Sequence, residues 1–501
     1  MVFGRATPRV VRRVRLVALW SLAATALCAC TVGPSFRRPD TPRPATYIGR
    51  SEFPAGGSAA TAAEPNAPTA GDFAQHILLG ATPAAQWWTL FQSRPLDELV
   101  RRAASNNHTL AAAFATLAAA QEFVVAQSGA RYPQVSVDAG AGRQQYGTQF
   151  LGPLPLPPFS YLAVGATVRY ELDYTGGIAR SVEQRRALAQ YQQSEVEAAY
   201  LALTGNVAMQ AMIIASIRGQ LQAVAELLVE DRENLNLVRT AFEGGSVSKL
   251  DVLTAQSQLA SDETLLPPLH HQLAVARHAL AVLVGHTPAD WSPPDFELGQ
   301  LELPRELPVS LPSELVHRRP DILAAEAQLH AATAAVGIAT ANLYPQIILT
   351  ATGGQQALAG TGGELFDRSS TVWSLISALT APIFDGGTLR AERRAAIYEL
   401  HASAERYQQT VLESFGQIAD LLDALSQDAE NLAAQTRALA TAASSLELAR
   451  ESYGVGNTGI LQVLDAQRQR QQAQLGFVRA QAQQYLDTTQ LFLALGGSGL
   501  Q

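Results

Sequence analysis

Few residues in this chain are placed to do covalent chemistry. His270 and His271 are adjacent, and neighbours on a helix face apart, so they make poor joint metal ligands. There is no His-Glu-x-x-His, no Gly-x-Ser-x-Gly and no phosphate loop ending in Gly-Lys-Ser/Thr. The cysteines are Cys28 and Cys30, which allows neither a disulfide framework nor a Cys-rich metal centre. What the spacing does offer is an ion pair. Asp465 and Arg468 stand at i and i+3, the separation at which an acid and a base share one helix face, or from which the base reaches a neighbouring chain. That chemistry is electrostatic. No enzyme activity, cofactor or metal site is expected.

Composition points to the elements that must carry such a pair. The chain has 501 residues, 47% apolar and 16% charged, with 36 basic and 44 acidic side chains for a net charge of −8. That balance argues against a nucleic-acid partner, which calls for a basic surface. Low charge with abundant Ala, Gln and Leu predicts long packed helices rather than disorder.

The N-terminus reads as an address. Arg5, Arg9, Arg12, Arg13 and Arg15 precede an apolar run from Leu16 to Leu27, too short to span a bilayer. Leu27-Cys28-Ala29-Cys30 resembles a bacterial lipobox. That resemblance implies a lipoprotein signal peptide over 1–29 and acylation of Cys30, palmitate included. Residue 31 is Thr and not Asp, which implies release to the outer membrane. Residues 30–85 then read as lipid anchor and extended linker, with 50–72 rich in Ala, Gly, Pro and Ser.

The rest is written twice. Tyr132-Pro133-Gln134 recurs as Tyr344-Pro345-Gln346, Gly176-Gly177 as Gly386-Gly387, and Val252-Leu253-Thr254-Ala255-Gln256 as Val463-Leu464-Asp465-Ala466-Gln467. The common offset predicts a first structural repeat over 86–300 and a second over 301–497, each reading helix, strand, strand, long helix, helix. Strands are expected near 134–146, 161–174, 346–356 and 372–384. In the second, Leu162, Val164, Ala166, Val168 and Tyr170 alternate with Ala163, Gly165, Thr167 and Arg169. Each runs for roughly ten residues, the length of a tilted transmembrane strand. Long loops at 147–160 and 357–371 join them in pairs.

Helices are expected at 178–243, 247–284, 388–454 and 460–495. Those at 178–243 and 388–454 lack Pro, and roughly 65 residues at 1.5 Å each is on the order of 100 Å, a coiled-coil dimension. They reverse at Gly244-Gly245 and between Gly454 and Gly459, and Pro267-Pro268 must break the returning helix of the first copy.

Four strands cannot close a transmembrane barrel, and an open edge is not tolerated in lipid. The simplest closure is a homotrimer: a 12-stranded β-barrel continued by a tube of 12 helices. The fold class is therefore mainly α with a transmembrane β part.

The chain resembles the outer membrane factor family, the TolC-type exit ducts, in its NodT-like lipoprotein branch. The residues that carry the resemblance are Cys30-Thr31-Val32-Gly33-Pro34, Trp87-Trp88-Thr89-Leu90-Phe91, Arg318-Arg319-Pro320-Asp321-Ile322, Pro382-Ile383-Phe384-Asp385-Gly386-Gly387 and Leu464-Asp465-Ala466-Gln467-Arg468. The resemblance implies a lipid-anchored outer membrane channel with a helical periplasmic extension. A periplasmic adaptor docks on the tip and links it to an inner-membrane pump of the RND type. The duct passes small molecules, drugs or metabolites, without doing chemistry.

It also implies a gate. Asp465 matches the family's aperture Asp, which trimer symmetry would make a ring of carboxylates. Arg468 follows it. A second acid common in the family is replaced by Gln462, so the ring should be weaker. Tyr453 and Asp251 match positions that hydrogen-bond between the inner and outer helix pairs in the closed state. Thr458 stands where the family has a partner cation. Bare backbone at Gly244, Gly245, Gly456 and Gly459, with Thr458, is the expected adaptor contact. Alternatives are the outer duct of a type I protein secretion system, a periplasmic adaptor with a helical hairpin, and a poreless lipoprotein scaffold. The substrate, the adaptor and the pump are not written in the chain.

Overall fold

Proline and glycine punctuate this chain where its helices start and stop. The computed structural model describes residues 31–40, 42, 44, 46, 47, 73–145, 157–359 and 364–497. The expected leader, the acylation site Cys30, most of the linker and parts of both long strand loops lie outside the described residues.

In the first copy, β1 is His76–Leu79, α1 Arg94–Asn106, α2 His108–Gly129, β2 Gln134–Gln144, β3 Phe159–Glu171, α3 Gly177–Glu243, α4 Lys249–Glu263 and α5 Leu266–Leu283. In the second, β4 is Glu306–Val309, α6 Pro320–Ala341, β5 Gln346–Leu358, β6 Thr371–Thr380, α7 Thr388–Gly454 and α8 Ile460–Ala494. The long helices α3 and α7 have 67 residues each. The expected order is present in both copies.

The boundaries that moved have local causes. β6 stops at Thr380, short of the expected 384, because Pro382 has no N–H to give a ladder. β3 stops at Glu171 because Asp173 turns to cap α3, accepting from the Ile178 and Ala179 amides at 3.0 and 2.8 Å. Asp385 caps α7 in the same way, through Leu389 and Gly387 at 2.9 and 2.8 Å. The break expected at Pro267-Pro268 in the 247–284 helix is present, just ahead of those prolines, and gives two helices. Ser248 is the N-cap of α4, and Pro sits at the first positions of α5. One feature inside the expected linker has no clear sequence signal. β1 pairs in parallel with β4, His76 opposite Glu306 through Leu79 opposite Val309.

By its contacts the chain forms two compact units, and each draws on both copies. Of the described residues, one takes those up to 39, those of 117–192 and those of 325–407, and holds the four-stranded antiparallel sheet, order β2-β3-β5-β6. Register settles its faces. Val137 pairs with Ala166, Ala166 with Gly353 and Gly353 with Trp373. Val135, Val168, Ala351 and Leu375 form the next row. Rows of paired residues share a side, so Val135, Val137, Ala166, Val168, Ala351, Trp373 and Leu375 lie on one face, while Ile348, Val372 and Ile376 fall on the opposite one. Asp138, Arg169, Thr350, Thr352 and Ser374 lie on that opposite face too. Val137, Trp373, Leu375 and Leu379 are exposed in the single chain.

The N-terminal segment is strapped to this unit. Val32 N–H donates to Thr175 O at 2.9 Å, Phe36 stacks on His330 at 4.4 Å, and Arg38 pairs with Glu326 at 2.7 Å. Gly33, at φ +89°, lies so close to Gly337 that a Cβ would come within 2.5 Å of its Cα.

The other unit takes the described residues of 40–116, 193–324 and those from 408 onward. At one end of its core Trp87 stacks on Phe492 and Phe91 on Tyr485, whose hydroxyl donates to Leu301 O at 2.8 Å. Arg319 donates to Ala494 O at 2.8 Å, tying the start of α6 to the end of α8. At the hairpin tips Leu235 and Val238 of α3, Ala255 of α4, Leu446 of α7 and Ile460, Val463, Leu464 and Ala466 of α8 form a shared core.

Candidate functional site

Both hairpins turn on the same backbone pattern. In the first copy Gly245 has φ +75°, and Ser246 N–H reaches back to Ala241 O at 2.9 Å. In the second Gly456 has φ +79°, and Asn457 N–H reaches back to Ser452 O at 2.9 Å. A residue with a Cβ would be strained at either glycine. Gly244, Gly245, Gly456 and Gly459 are exposed, and nothing but the turn's own carbonyls lies near them.

The repeat offset then shows what each copy has kept. Ser248 aligns with Gly459, Asp251 with Gln462, Thr254 with Asp465 and Ser257 with Arg468. In copy one, Ser248 and Asp251 form a capping box: the Ser248 amide and hydroxyl both donate to Asp251 Oδ2 at 2.8 Å. Hydrogen bonds from the Ser248 hydroxyl and then its amide hold the Asp251 carboxyl below the usual carboxylate range. In copy two, Gly459 caps α8 with extended backbone and no side chain, and Gln462 is exposed. Copy two instead carries the ion pair. Arg468 Nη2 contacts Asp465 Oδ1, and Gln469 Nε2 donates to Oδ2 at 2.9 Å. The charged residues thus stand on α8 and the local cap on α4.

Within the single chain no hydrogen bond joins Tyr453 to Asp251 among the described residues. Tyr453 is half-buried against the tip core. Asp251 is engaged with the N-cap three residues before it, a partner that its own helix holds within reach. Thr458 is half-buried, and its hydroxyl meets no partner among the described residues.

A polar cluster above this tip was not anticipated. Asp231 and Asn234 of α3 both contact Gln467 of α8. Gln467 Nε2 donates to Asp231 Oδ1 at 2.9 Å, and Asn234 Nδ2 donates to Gln467 Oε1. Asp262 of α4 faces Asp231, and Gln258 donates to its Oδ2 at 2.7 Å. Burial first, then the Asp262 carboxyl and Glu230, push the Asp231 carboxyl up to about 7. Glu230 itself is held by Arg470 at 2.7 Å and Arg450 at 3.2 Å. The signal in the sequence is faint. Asp231 and Asn234 fall on the stripe of Leu227, Leu228, Leu235 and Val238, where coiled-coil spacing calls for apolar residues. A second buried pair, Asp428 of α7 and Asp487 of α8, lies further from the tip. Burial and Asp487 push Asp428 up to about 7.

The model of the outer membrane efflux protein family matches residues 99–286 and 311–497. The chain belongs to that family. This outer membrane efflux protein is 32% identical over 427 residues to the pyoverdine export outer membrane protein OpmQ of Pseudomonas aeruginosa, covering 83% of this chain and 88% of that one. It is 30% identical over 489 residues to the outer membrane protein OprJ of the same organism, covering 95% and 94%. The solved outer-membrane channel OprN superposes with a TM-score of 0.82 at 27% identity, covering 94% of this chain and 99% of that one. This efflux protein is an outer membrane channel component. The duplicated, mainly helical architecture with its four-stranded antiparallel sheet is the channel fold.

Proposed function

We propose that three copies of this chain close into one duct. Each chain supplies four strands of a 12-stranded barrel and the helices of a periplasmic tube. The observation that carries this reading is the sheet. Among the described residues its edge strands β2 and β6 have no second partner, they run in opposite directions, and each of the four strands puts an apolar residue on one shared face. β6 of one chain can therefore pair antiparallel with β2 of the next, which leaves no edge in lipid. α2 supports the same conclusion. Its most apolar window is 6% buried in the single chain, and neighbouring copies would cover it.

In this reading the apolar face meets lipid, and Asp138, Arg169 and Thr352 line water. Cys30 carries the lipid, and the strap at Val32–Arg38 fixes where the anchored end leaves the protein. The tip bears the aperture, with Asp465 and Arg468 on the lining helix and Gln462, Tyr453 and Asp251 around it. An adaptor docks at Gly244, Gly245, Gly456, Thr458 and Gly459, and an inner-membrane pump of the RND type supplies energy. The substrates are small molecules chosen by the pump. The efflux and export names of the relatives favour this over protein secretion.

The test is a detergent-purified trimer that shifts on heating in gels and conducts in planar bilayers. A sealed monomer overturns the duct. Acylation is tested separately, by labelled palmitate entering the wild type and not Cys30→Ala.

A further inference from the structure

The tip contains a buried acid pair that the duct itself does not explain. Asp231 and Asp262 are 3% and 6% exposed and face each other between α3 and α4. Asp231 Oδ1 is taken by Gln467, and Asp262 Oδ2 by Gln258. Asp231 Oδ2 is buried and meets no N–H or O–H donor among the described residues. The missing donor is a proton on one carboxyl, since two adjacent buried carboxylates cannot both ionise cheaply.

Among the described residues neither carboxyl forms an ion pair. On α3, Glu230 adds negative charge, and Arg450 of α7 and Arg470 of α8 contact Glu230 rather than the pair. Arg232 faces outward to Glu263 at 3.4 Å. The remaining partners, Asn234, Gln258 and Gln467, are neutral amides.

The position matters as much as the chemistry. Asp262 sits in the last turn of α4, just before the break to α5. Gln467 lies on α8 two residues past Asp465. The pair therefore ties a short tip segment to both the long helix of its own hairpin and the charged helix of the other.

We propose that the Asp231–Asp262 pair is a proton-operated fastener: sharing one proton it holds α4 to α3 and, through Gln467, to α8, and on losing that proton it releases α4 to swing about the α4–α5 break. This rests on the reading of the tip as the aperture. The sign follows from linkage. A released, hydrated carboxylate titrates near ~4, whereas the fastened Asp231 titrates at about 7. Fastening weakens as pH rises between these values and is at its weakest above them.

The experiment uses the wild-type trimer, Asp262→Asn, Asp231→Asn and, as control, Asp487→Asn, in planar bilayers from about pH 5.5 to about pH 8.5. Wild type and Asp487→Asn are expected to gain conductance several-fold, mostly below about pH 7. Asp262→Asn and Asp231→Asn, whose amides imitate the protonated acid, stay low and flat. Infrared spectra of the same trimers in an Asp487→Asn background should show a protonated carboxylic acid that disappears with rising pH and is absent in Asp262→Asn. Conducting channels whose pH response survives Asp262→Asn, or no such infrared band, would overturn the fastener. A channel silent at every pH with the band present overturns the duct instead and leaves the proton site standing.

Discussion

Arg468 lies against Asp465 one helical turn away on the exposed face of α8, so the acid assigned to the aperture is already engaged within its own chain. Gln469 occupies its second oxygen. A carboxylate shared in this way offers less to a passing cation than a bare one. Arg468→Ala should therefore strengthen block by a trivalent cation several-fold. Asp465→Ala should abolish the block and raise conductance. Cation titrations of single channels read both. An Arg468→Ala channel blocked like wild type would remove the ion pair from the gate.

The alignment of Gln462 with Asp251 yields a second prediction. Gln462→Asp places an acid one turn before Asp465 with no serine to occupy it, because Gly459 stands where Ser248 stands in the other copy. It should tighten trivalent-cation block by roughly ten-fold through paired carboxylate rings. The double change Gly459→Ser with Gln462→Asp should lose part of that gain, because the new acid is drawn into a capping box.

Releasing the tip is a separate matter. Asp251 caps α4 and Tyr453 packs on the tip core, so Tyr453→Phe with Asp251→Ala removes both a cap and a potential cross-hairpin bond. Conductance should rise relative to wild type. Ser248→Ala, which leaves both residues in place, separates the two effects. If Ser248→Ala alone reproduces the double variant, the cap and not the latch controls the tip.

Asp428 and Asp487 predict a pH dependence of stability. A carboxyl raised to about 7 in the folded chain binds its proton more tightly than in the unfolded chain, where it titrates near ~4. Its contribution is full below the unfolded value and is lost as pH rises through about 7. The thermal midpoint of wild type should fall from about pH 5 to about pH 8, and Asp428→Asn should flatten that fall. An unchanged slope in the variant would exclude this pair as its source.

The sheet faces are testable by charge. Trp373→Arg or Val137→Arg puts a cation on the face assigned to lipid, at a cost of about 2–4 kcal/mol near the bilayer midplane. Heat-modifiable trimer should diminish sharply. Thr350→Arg and Thr352→Arg, on the opposite face by register, should assemble and change ion selectivity instead.

Much of this protein is legible in its sequence because period and punctuation are local properties. The alternation from Leu162 to Tyr170 contains the strand and its apolar face. The absence of Pro through α3 and α7, with Gly at each reversal, contains the hairpins. The repeat offset predicts which residues are twins, and Asp465 with Arg468 needs only one helical turn to meet. Three things needed the third dimension. β1 and β4 are four residues each and exist only because two distant segments lie side by side. The half-burial of Tyr453 on the tip core depends on how the hairpins dock, whereas the Asp251–Ser248 capping box is local to α4. The Asp231–Asp262 pair joins residues on separate helices, and its chemistry comes from burial, which no spacing along a chain reports. Sequence alone determined the parts and their order, through local backbone preference. Tertiary structure decided which charges are screened and which are buried against their own kind, because that depends on what packs around them.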